Sequence, residues 1–323
     1  MNARIELHRL LDRQLPPETR SELTNHLPMA LHALCELGAA PQRMREFADR
    51  YRARFESLAP PTVVAPLADW RASLGQGQDF AALLPTFRHA LARAGRDAVL
   101  RDALPALLPG VAAAAFHGVI RTAHAIESGH EDELAQALAY WAWRWQPLAA
   151  PPLGEPMAFE DWTAVLVEQA SDWTHDAPLI SLRMAGATSS APYRALAGRL
   201  AIEDRLLPRL TAFAAQRYAD TRSFTVLHMV TGLRALRVVS PWIADLPALA
   251  PGLVHAVTAA YLAAKVPAGL ALPAVPARDW AEVVARAIAS DDDHVVKIVH
   301  ACRSLAALDG EDPYLRAARR AVA

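Results

Sequence analysis

Four histidines lie inside apolar, alanine-rich segments, where an imidazole without a partner would be unfavourable to bury. They are His26, His117, His228 and His294, each in a different part of the 323-residue chain. A buried imidazole usually has a hydrogen-bond partner or binds a metal ion, and neutral imidazoles are good ligands for first-row transition metals. We therefore predict that the four histidines meet at one internal metal site.

Two further polar residues follow His117 on the same segment. Arg121 and His124 stand four and seven residues after it, so a helix would place all three along one side. In that position they could bind an anionic or phenolic substrate or act on it as acid or base. The alternative for Arg121 is a purely structural pairing with a carboxylate such as Glu127 or Asp132.

Lys297 stands three residues after His294, on a helix whose start is rich in acids that suit a helix N-terminus. His300 continues the same face after three more residues. The alternative is that His294 caps the helix or pairs with an aspartate while Lys297 extends to solvent. His228 could likewise donate to a backbone carbonyl in a core helix, and His26 could be an ordinary helix-start residue.

Compact catalytic motifs are missing from the sequence. It has no His-Glu-x-x-His, no Cys-x-x-Cys, no EF-hand loop and no Gly-x-Ser-x-Gly. Gly75-Gln76-Gly77 lacks the third glycine and the preceding strand of a dinucleotide site. The two cysteines, Cys35 and Cys302, have no nucleophile context. These absences argue against the hydrolase, zinc-finger and nucleotide-binding classes that such motifs define.

Composition predicts a globular protein of the cytoplasm. Thirty-three basic residues against 34 acidic ones give a formal charge of −1, so nothing favours nucleic acid or an anionic membrane as partner. Two cysteines fit a reducing compartment, and the first residues lack the apolar core of a signal peptide. The apolar stretch Ala248 to Ala274 is interrupted by three prolines and one lysine, which argues against a membrane span.

Apolar residues recur at three- and four-residue spacing, and strand-like alternation is almost absent. We therefore predict an all-α fold, about two-thirds helical, with the segment Val111 to Glu127 as a central helix because it is apolar nearly all round. Met184 to Ala191 is predicted as a loop. Other helices are predicted from Asn25 to Gly38 and at 42–56, 79–94, 97–108, 131–145, 195–201, 206–218, 223–238, 241–265, 280–289, 291–308 and 313–322.

Pro147 to Pro156 contains four prolines and is the best candidate for a linker. It could divide the chain into halves 1–146 and 157–323. Because both halves supply conspicuous histidines, we predict one helical-bundle domain, residues 1–323, closed around a common cavity with a buried metal site between helices. The aromatic run Trp141, Trp143 and Trp145 is expected in the core rather than on a cavity wall.

Four segments carry a resemblance to a known family. They are Asn25–Leu31, Ala115–Ala125, Phe224–Gly232 and Asp292–Lys297, which occur in this order over nearly the whole chain. In these segments the sequence resembles the questin oxidase-like family of fungal and bacterial proteins, some of which oxygenate or cleave aromatic polyketide rings.

The resemblance implies a helical oxidoreductase with a non-haem iron, Fe(II), held by histidines and a carboxylated lysine. Carried over by position, the ligands are His26, His117, His228, His294 and Lys297. A lysine ammonium cannot bind a metal, but a neutral amine can react with carbon dioxide to give an anionic carbamate. Such a group supplies the negative charge that four imidazoles lack.

Fungal relatives carry a second histidine where Arg121 stands, so this chain departs from them inside the expected pocket. Arg121 and His124 are the residues predicted to act on the substrate. The predicted function is an iron-dependent oxygenase that uses O2 on an aromatic or polycyclic small molecule.

Three other functions stay open. The first is a Baeyer–Villiger-type oxidation that consumes NADPH, although the sequence has no recognisable nicotinamide site. The second is a helical scaffold that binds protein without chemistry, and the third is a zinc hydrolase with a carbamylated lysine.

Overall fold

The computed structural model describes residues 2–13, 15–54, 64–76, 80–173 and 175–323. Over these residues the chain forms α-helices, short 3₁₀ turns and no β-strand, and 67% of it is helical. The predicted all-α fold is confirmed. In chain order the helices are α1 Ala3–Leu11, α2 Leu27–Leu37, α3 Pro41–Arg54, α4 Phe80–Ala94, α5 Arg96–Leu107, α6 His117–Ser128, α7 Glu131–Trp143, α8 Phe159–Gln169, α9 Ile180–Ala187, α10 Ala191–Leu196, α11 Leu206–Thr221, α12 Phe224–Val239, α13 Leu246–Ala263, α14 Trp280–Ala289, α15 Asp293–Asp309 and α16 Tyr314–Ala321.

Local sequence signals set the ends of the helices that matter most for the site. The side chains of Ser223 and Asp292 accept backbone N–H bonds at the starts of α12 and α15. Gly38 and Gly129 end α2 and α6 in the left-handed conformation, which glycine adopts without a steric penalty. These helices therefore begin and end where caps are available.

Four helices form the centre of the molecule. Helix α6 packs against α2 and α12, and α15 packs against the same two helices, so the four make a closed ring. Helices α2 and α6 precede the proline-rich segment, whereas α12 and α15 follow it. The single domain stays a prediction. A single domain requires contact between the two halves of the chain, and this ring provides such a contact.

The four central helices run in the same direction. Each carries a histidine at or near its N-terminus, and these four imidazoles contact one another. Side chains six or seven residues further along, His32, His124 and His300, also meet. At a rise of 1.5 Å per residue the two meeting points lie about 9–10 Å apart along the bundle.

Outer helices complete the core. Helix α7 covers α6 and is covered by α4, while α11 and α16 pack beside α12 and α15, and α13 packs against α9 and α12. By length and composition α13 could cross a membrane, but 61% of it is buried inside the protein, as expected for a core helix.

Several predicted helix boundaries are wrong. The central helix begins at His117 rather than at Val111, because Ala114, Ala115 and Phe116 adopt left-handed conformations that break it. The segment Met184 to Ala191, predicted as a loop, contains the end of α9, and the helix predicted at 195–201 is α10, which lies earlier. Helices α1 and α8 were not predicted at all. The predicted end of α3 at residue 56 and the start of α4 at residue 79 lie outside the described residues.

Candidate metal centre

The four histidines singled out by the sequence come together at one end of the central ring. Ring centroids are 4.7 Å apart for His26 and His117, 4.9 Å for His117 and His228, 5.5 Å for His228 and His294, and 4.7 Å for His294 and His26. The imidazoles thus form a closed square. We call these four residues the proximal histidine cluster.

Hydrogen bonds fix which nitrogen of three imidazoles is free. The Nδ1 atom of His26 lies 2.5 Å from Oδ2 of Asp293, and that of His228 lies 2.8 Å from the carbonyl oxygen of Phe224. Nδ1 of His117 is bonded to the carbonyl of Ala114. Because these oxygens only accept hydrogen bonds, each Nδ1 carries the proton, and in the neutral ring Nε2 is left with a free lone pair.

Two of these free nitrogens face each other. Nε2 of His26 lies 2.8 Å from Nε2 of His117, which is a hydrogen-bond distance. When both rings are neutral, however, neither of these nitrogens carries a proton to donate. Two nitrogens that each lie about 2.1 Å from one ion stand roughly 3 Å apart when the ligand angle is near 90°. The contact therefore fits two ligands of a common metal ion.

His294 adds a fourth imidazole. Its Nε2 is buried and makes no hydrogen bond to any described residue. Its Nδ1 lies 3.3 Å from Oδ2 of Asp293. An unsatisfied buried nitrogen is unfavourable unless something outside the polypeptide binds it, so this atom also fits a metal ligand.

Asp293 is a carboxylate that contacts two members of the proximal cluster, His26 and His294. Its Oδ2 accepts from His26 and lies 3.3 Å from Nζ of Lys297, one turn further along α15. Burial acts to raise the pKa of Asp293, but His26 and Lys297 outweigh it and hold that pKa well below its ordinary value. The carboxylate is therefore ionised, and it orients one imidazole through its protonated nitrogen, as carboxylates do behind metal-bound histidines.

Burial keeps the imidazoles of His26, His117 and His228 neutral, which metal ligation requires. Desolvation, helped by the nearby Lys297, lowers the pKa of His26 to about 4. Desolvation also lowers the pKa values of His117 and His228 well below their ordinary range. Burial lowers the pKa of Lys297 too, so that its neutral amine is more accessible than in water.

The backbone before α6 is what aims His117 inward. Ala114, Ala115 and Phe116 all have positive φ, which is rare for residues other than glycine and costs on the order of 1–3 kcal/mol each. This turn brings the carbonyl of Ala114 back onto Nδ1 of His117. Phe116 is buried where α6 approaches Gly232 of α12, and a Cβ at position 232 would lie 2.7 Å from the Phe116 side chain.

A cavity of about 750 Å³ opens onto the proximal cluster. Clefts of this size hold drug-sized molecules. His26, His117, His228, Asp293 and His294 form part of its wall, and the rest is largely apolar or aromatic, with the charged groups Glu18, Glu22 and Arg144 and a few neutral polar ones also present. The main apolar and aromatic wall residues are Tyr51, Trp143, Trp145, Ile180, Leu182 and Phe224.

The tryptophan run divides between core and cavity. Trp141 is fully buried and donates its indole N–H to the carbonyl of Gly110 at 3.1 Å, as expected for a core residue. Trp143 and Trp145 line the cavity, so the expectation that the whole run belongs to the core is wrong for these two.

Arg121 and His124 do not face the cavity with His117. Arg121 is fully buried and forms a two-point ion pair with Glu133 of α7, with N–O distances of 2.6 and 2.9 Å. The partner is neither Glu127 nor Asp132. His124 lies 2.8 Å from His32 and belongs to the group of side chains further along the helices. The prediction that all three side chains face one partner is therefore wrong for Arg121, which pairs with α7, whereas His117 and His124 contact His26 and His32.

Sequence reasoning missed two residues that the geometry singles out. Asp293 is predicted only as a helix-start acid, because nothing in the sequence shows its contact with the distant His26. Phe224 is 53% exposed and packs edge-on against His228 and His294, with centroids 4.8 and 4.6 Å away. An exposed aromatic ring at that place forms an apolar wall directly beside the cluster.

Comparison with known families gives one match. The model of the Questin oxidase-like family matches residues 23–185. That span contains His26 and His117 but ends before His228, His294 and Lys297. No curated protein matches the chain.

Proposed function

The chain belongs to the Questin oxidase-like family, which implies an oxidoreductase acting on polyketide-like substrates, and on that premise we propose that it is a non-haem iron oxygenase for an aromatic, polycyclic small molecule. The observation that supports the proposal most is the pair of facing Nε2 atoms of His26 and His117. It supports a metal ion at the proximal cluster, on the wall of a cavity wide enough for a fused-ring substrate.

The proposed ligands are His26, His117, His228 and His294, with Lys297 as a carboxylated fifth ligand. Bound Fe(II) supplies the activation of O2, which organic substrates with paired electrons react with slowly on their own. Asp293 holds the proton of His26 on Nδ1 and so keeps Nε2 available. The carbonyls of Ala114 and Phe224 do the same for His117 and His228.

The surroundings of Lys297 support the proposed carboxylation. Its amine is buried, and the lowered pKa makes the neutral form that reacts with carbon dioxide more accessible. Formation of the carbamate from the neutral amine joins nitrogen to carbon and releases one proton to solvent. Protein grown with ¹³C-labelled bicarbonate should show a carbamate resonance that Lys297→Met lacks.

The cavity walls define how the substrate lies. Phe224 offers a ring face beside His228 and His294, and Trp143 and Trp145 add aromatic surface elsewhere on the wall. Planar fused rings pack well against such walls and exclude water from the ring that faces the cluster. Arg144 pairs with Glu18 and Glu22 on this wall, and this charged group suits hydrogen bonds to hydroxyl groups of the substrate.

The test combines iron content with oxygen uptake. Protein purified and loaded with Fe(II) without oxygen should consume O2 when given a hydroxylated anthraquinone, and the same measurement with NADPH shows whether a reductant is needed. His117→Ala and His228→Ala should lose more than tenfold in iron affinity and in uptake. His89→Ala, at an exposed position on α4, is the matched control. Full iron content and uptake in both cluster variants would overturn the proposal.

A further inference from the structure

A second group of imidazoles lies two helical turns beyond the proximal cluster. His32 on α2, His124 on α6 and His300 on α15 have ring centroids 5.0, 5.2 and 5.5 Å apart in their three pairings. Each ring is on a different helix, and all three residues are at least 94% buried. We call them the distal histidine triad.

The hydrogen bonds of the distal triad are incomplete. Nδ1 of His32 lies 2.8 Å from Nδ1 of His124, and one of these two atoms can donate to the other. Nε2 of His32 and Nδ1 of His300 are buried and have no hydrogen-bond partner among the described residues. Polar atoms that are buried without a partner are uncommon and unfavourable, so these two nitrogens indicate that a ligand binds here.

A carboxylate stands beside the distal triad. One oxygen of Glu127 lies within 4.8 Å of ring nitrogens of both His32 and His124. The guanidinium of Arg234 holds Glu127 in place through N–O contacts of 2.6 and 2.5 Å. Arg234 is itself six residues after His228 on α12, so the fourth central helix also reaches this level.

Charges around the distal triad balance before any ion is added. Arg234 pairs with Glu127, and Arg4 pairs with Glu36, whose carboxylate lies 3.8 Å from Nε2 of His32. Burial lowers the pKa values of all three imidazoles, and Arg234 adds to the effect, so the rings are neutral. A cation would therefore meet neutral nitrogen ligands and no excess positive charge.

From this geometry we propose that His32, His124 and Glu127 bind a divalent transition-metal ion of their own, and that His300, whose ring lies beside both histidines, turns to complete the site. Imidazoles with one carboxylate suit zinc or a similar borderline ion and do not suit Mg²⁺ or Ca²⁺, which prefer oxygen ligands. None of the four residues lines the large cavity. A four-ligand site closed to substrate is typical of a structural ion, and this one would fix α2, α6 and α15 to one another.

The experiment counts ions per chain. Full-length protein is stripped with a chelator, dialysed against Zn²⁺ alone or Co²⁺ alone, and analysed for metal and for thermal unfolding. We expect two ions per chain in the unchanged protein and one in His124→Gln, in His300→Gln and in His117→Gln, with two retained in the exposed control His89→Gln. The double variant His117→Gln/His124→Gln should bind none.

The outcomes separate the two sites. If His117→Gln leaves the ion count unchanged but His124→Gln and His300→Gln lower it, the proximal site fails and the distal one stands. If the distal variants bind as many ions as the unchanged protein, the distal triad is only hydrogen-bonded and the inference is overturned. If a distal variant fails to fold, the ion count of the unchanged protein decides. A count of one ion per chain or fewer, which His117→Gln abolishes, contradicts a second site.

Discussion

Arg121 and Glu133 form an ion pair from which water is excluded. Their side chains are 0% and 2% exposed, and Nη1 of Arg121 has no partner among the described residues. Removing one partner of a buried pair leaves the other charge buried without a counter-charge. Replacing both partners by apolar groups leaves no such charge. The geometry therefore favours a structural role for Arg121 over the predicted contact with substrate.

Arg121→Met should lower the free energy of unfolding by about 3–5 kcal/mol, because Glu133 loses its buried partner. The double variant Arg121→Met/Glu133→Leu should recover most of that loss. Urea unfolding of the two variants beside the unchanged protein measures both effects. If Arg121→Met is instead fully stable and raises the KM for substrate tenfold, the residue contacts substrate as the sequence predicts.

The sequence around each proximal histidine was enough to predict that it is a candidate ligand. It did not predict all of the residues that surround the cluster. A histidine in an apolar helix is conspicuous, so His26, His117, His228 and His294 could be found. Asp293 could not be separated from an ordinary helix-start acid, because its role depends on a contact with α2. His32 was overlooked, although the spacing of six or seven residues from a proximal histidine recurs on three helices and was a readable signal.

At the scale of elements, the site depends on how closely α6 and α12 approach. Gly232 has no side chain, which lets the buried ring of Phe116 lie against α12. Phe116 has a left-handed backbone and directly precedes His117, so its position and the direction of His117 are coupled. Helix contact and ligand geometry are thus set by the same pair of residues.

Gly232→Ala should destabilise the fold by about 1–3 kcal/mol and weaken iron binding, because the new methyl group must displace Phe116. Gly252→Ala on α13 is the matched control, since nothing lies within 4 Å of its added Cβ, and it should gain up to about 1 kcal/mol from helix propensity. Urea unfolding and elemental analysis check both variants. Unchanged stability and iron content in Gly232→Ala would show that Phe116 does not set the position of His117.

Helix periodicity predicted most elements, and its failures have physical causes. Helix α14 was predicted with its observed bounds, since a capping aspartate and a strong apolar stripe define it. The start of α6 was misplaced because left-handed conformations are expected for glycine or asparagine, not for alanine and phenylalanine. Only the packing of Phe116 in the core explains that turn.

For the whole molecule, the buried imidazoles couple folding to pH. Desolvation lowers the pKa of His26 to about 4 and that of His32 to about 3, and it lowers the pKa values of His117, His124, His228 and His300 as well. In the unfolded chain these groups titrate near 6.5. The unfolded state therefore takes up protons first as the pH falls.

Metal-free protein should keep its full stability above pH 6.5 and lose it as the pH falls from there toward 4. Each imidazole that stays neutral in the fold contributes a slope of about 1.4 kcal/mol per pH unit in that window. Urea midpoints at pH 7.5, 6.5 and 5.5 measure the loss, and the exposed control His89→Gln should follow the same curve. A midpoint that stays constant from pH 7 to 5 would contradict the burial of neutral rings.

The convergence of the four central helices was not predictable from spacing in the sequence. It depends on contacts between α2 and α15 and between α6 and α12, which join residues far apart along the chain. The expectation of a common internal site rested on the chemistry of buried imidazoles, and the geometry agrees with it for the proximal cluster. The distal triad shows that three further buried histidines form a separate group, whereas the buried His130 lies elsewhere, beside His8.

The shared direction of the four central helices also has an electrostatic consequence. Each helix carries the equivalent of about half a positive elementary charge at its N-terminus, from aligned peptide dipoles. All four N-termini lie at the end that faces the cavity, so the backbone itself creates a positive potential there. We therefore expect ionised hydroxyaromatics and small anions such as azide to be drawn to this end of the bundle, and added salt to weaken that attraction.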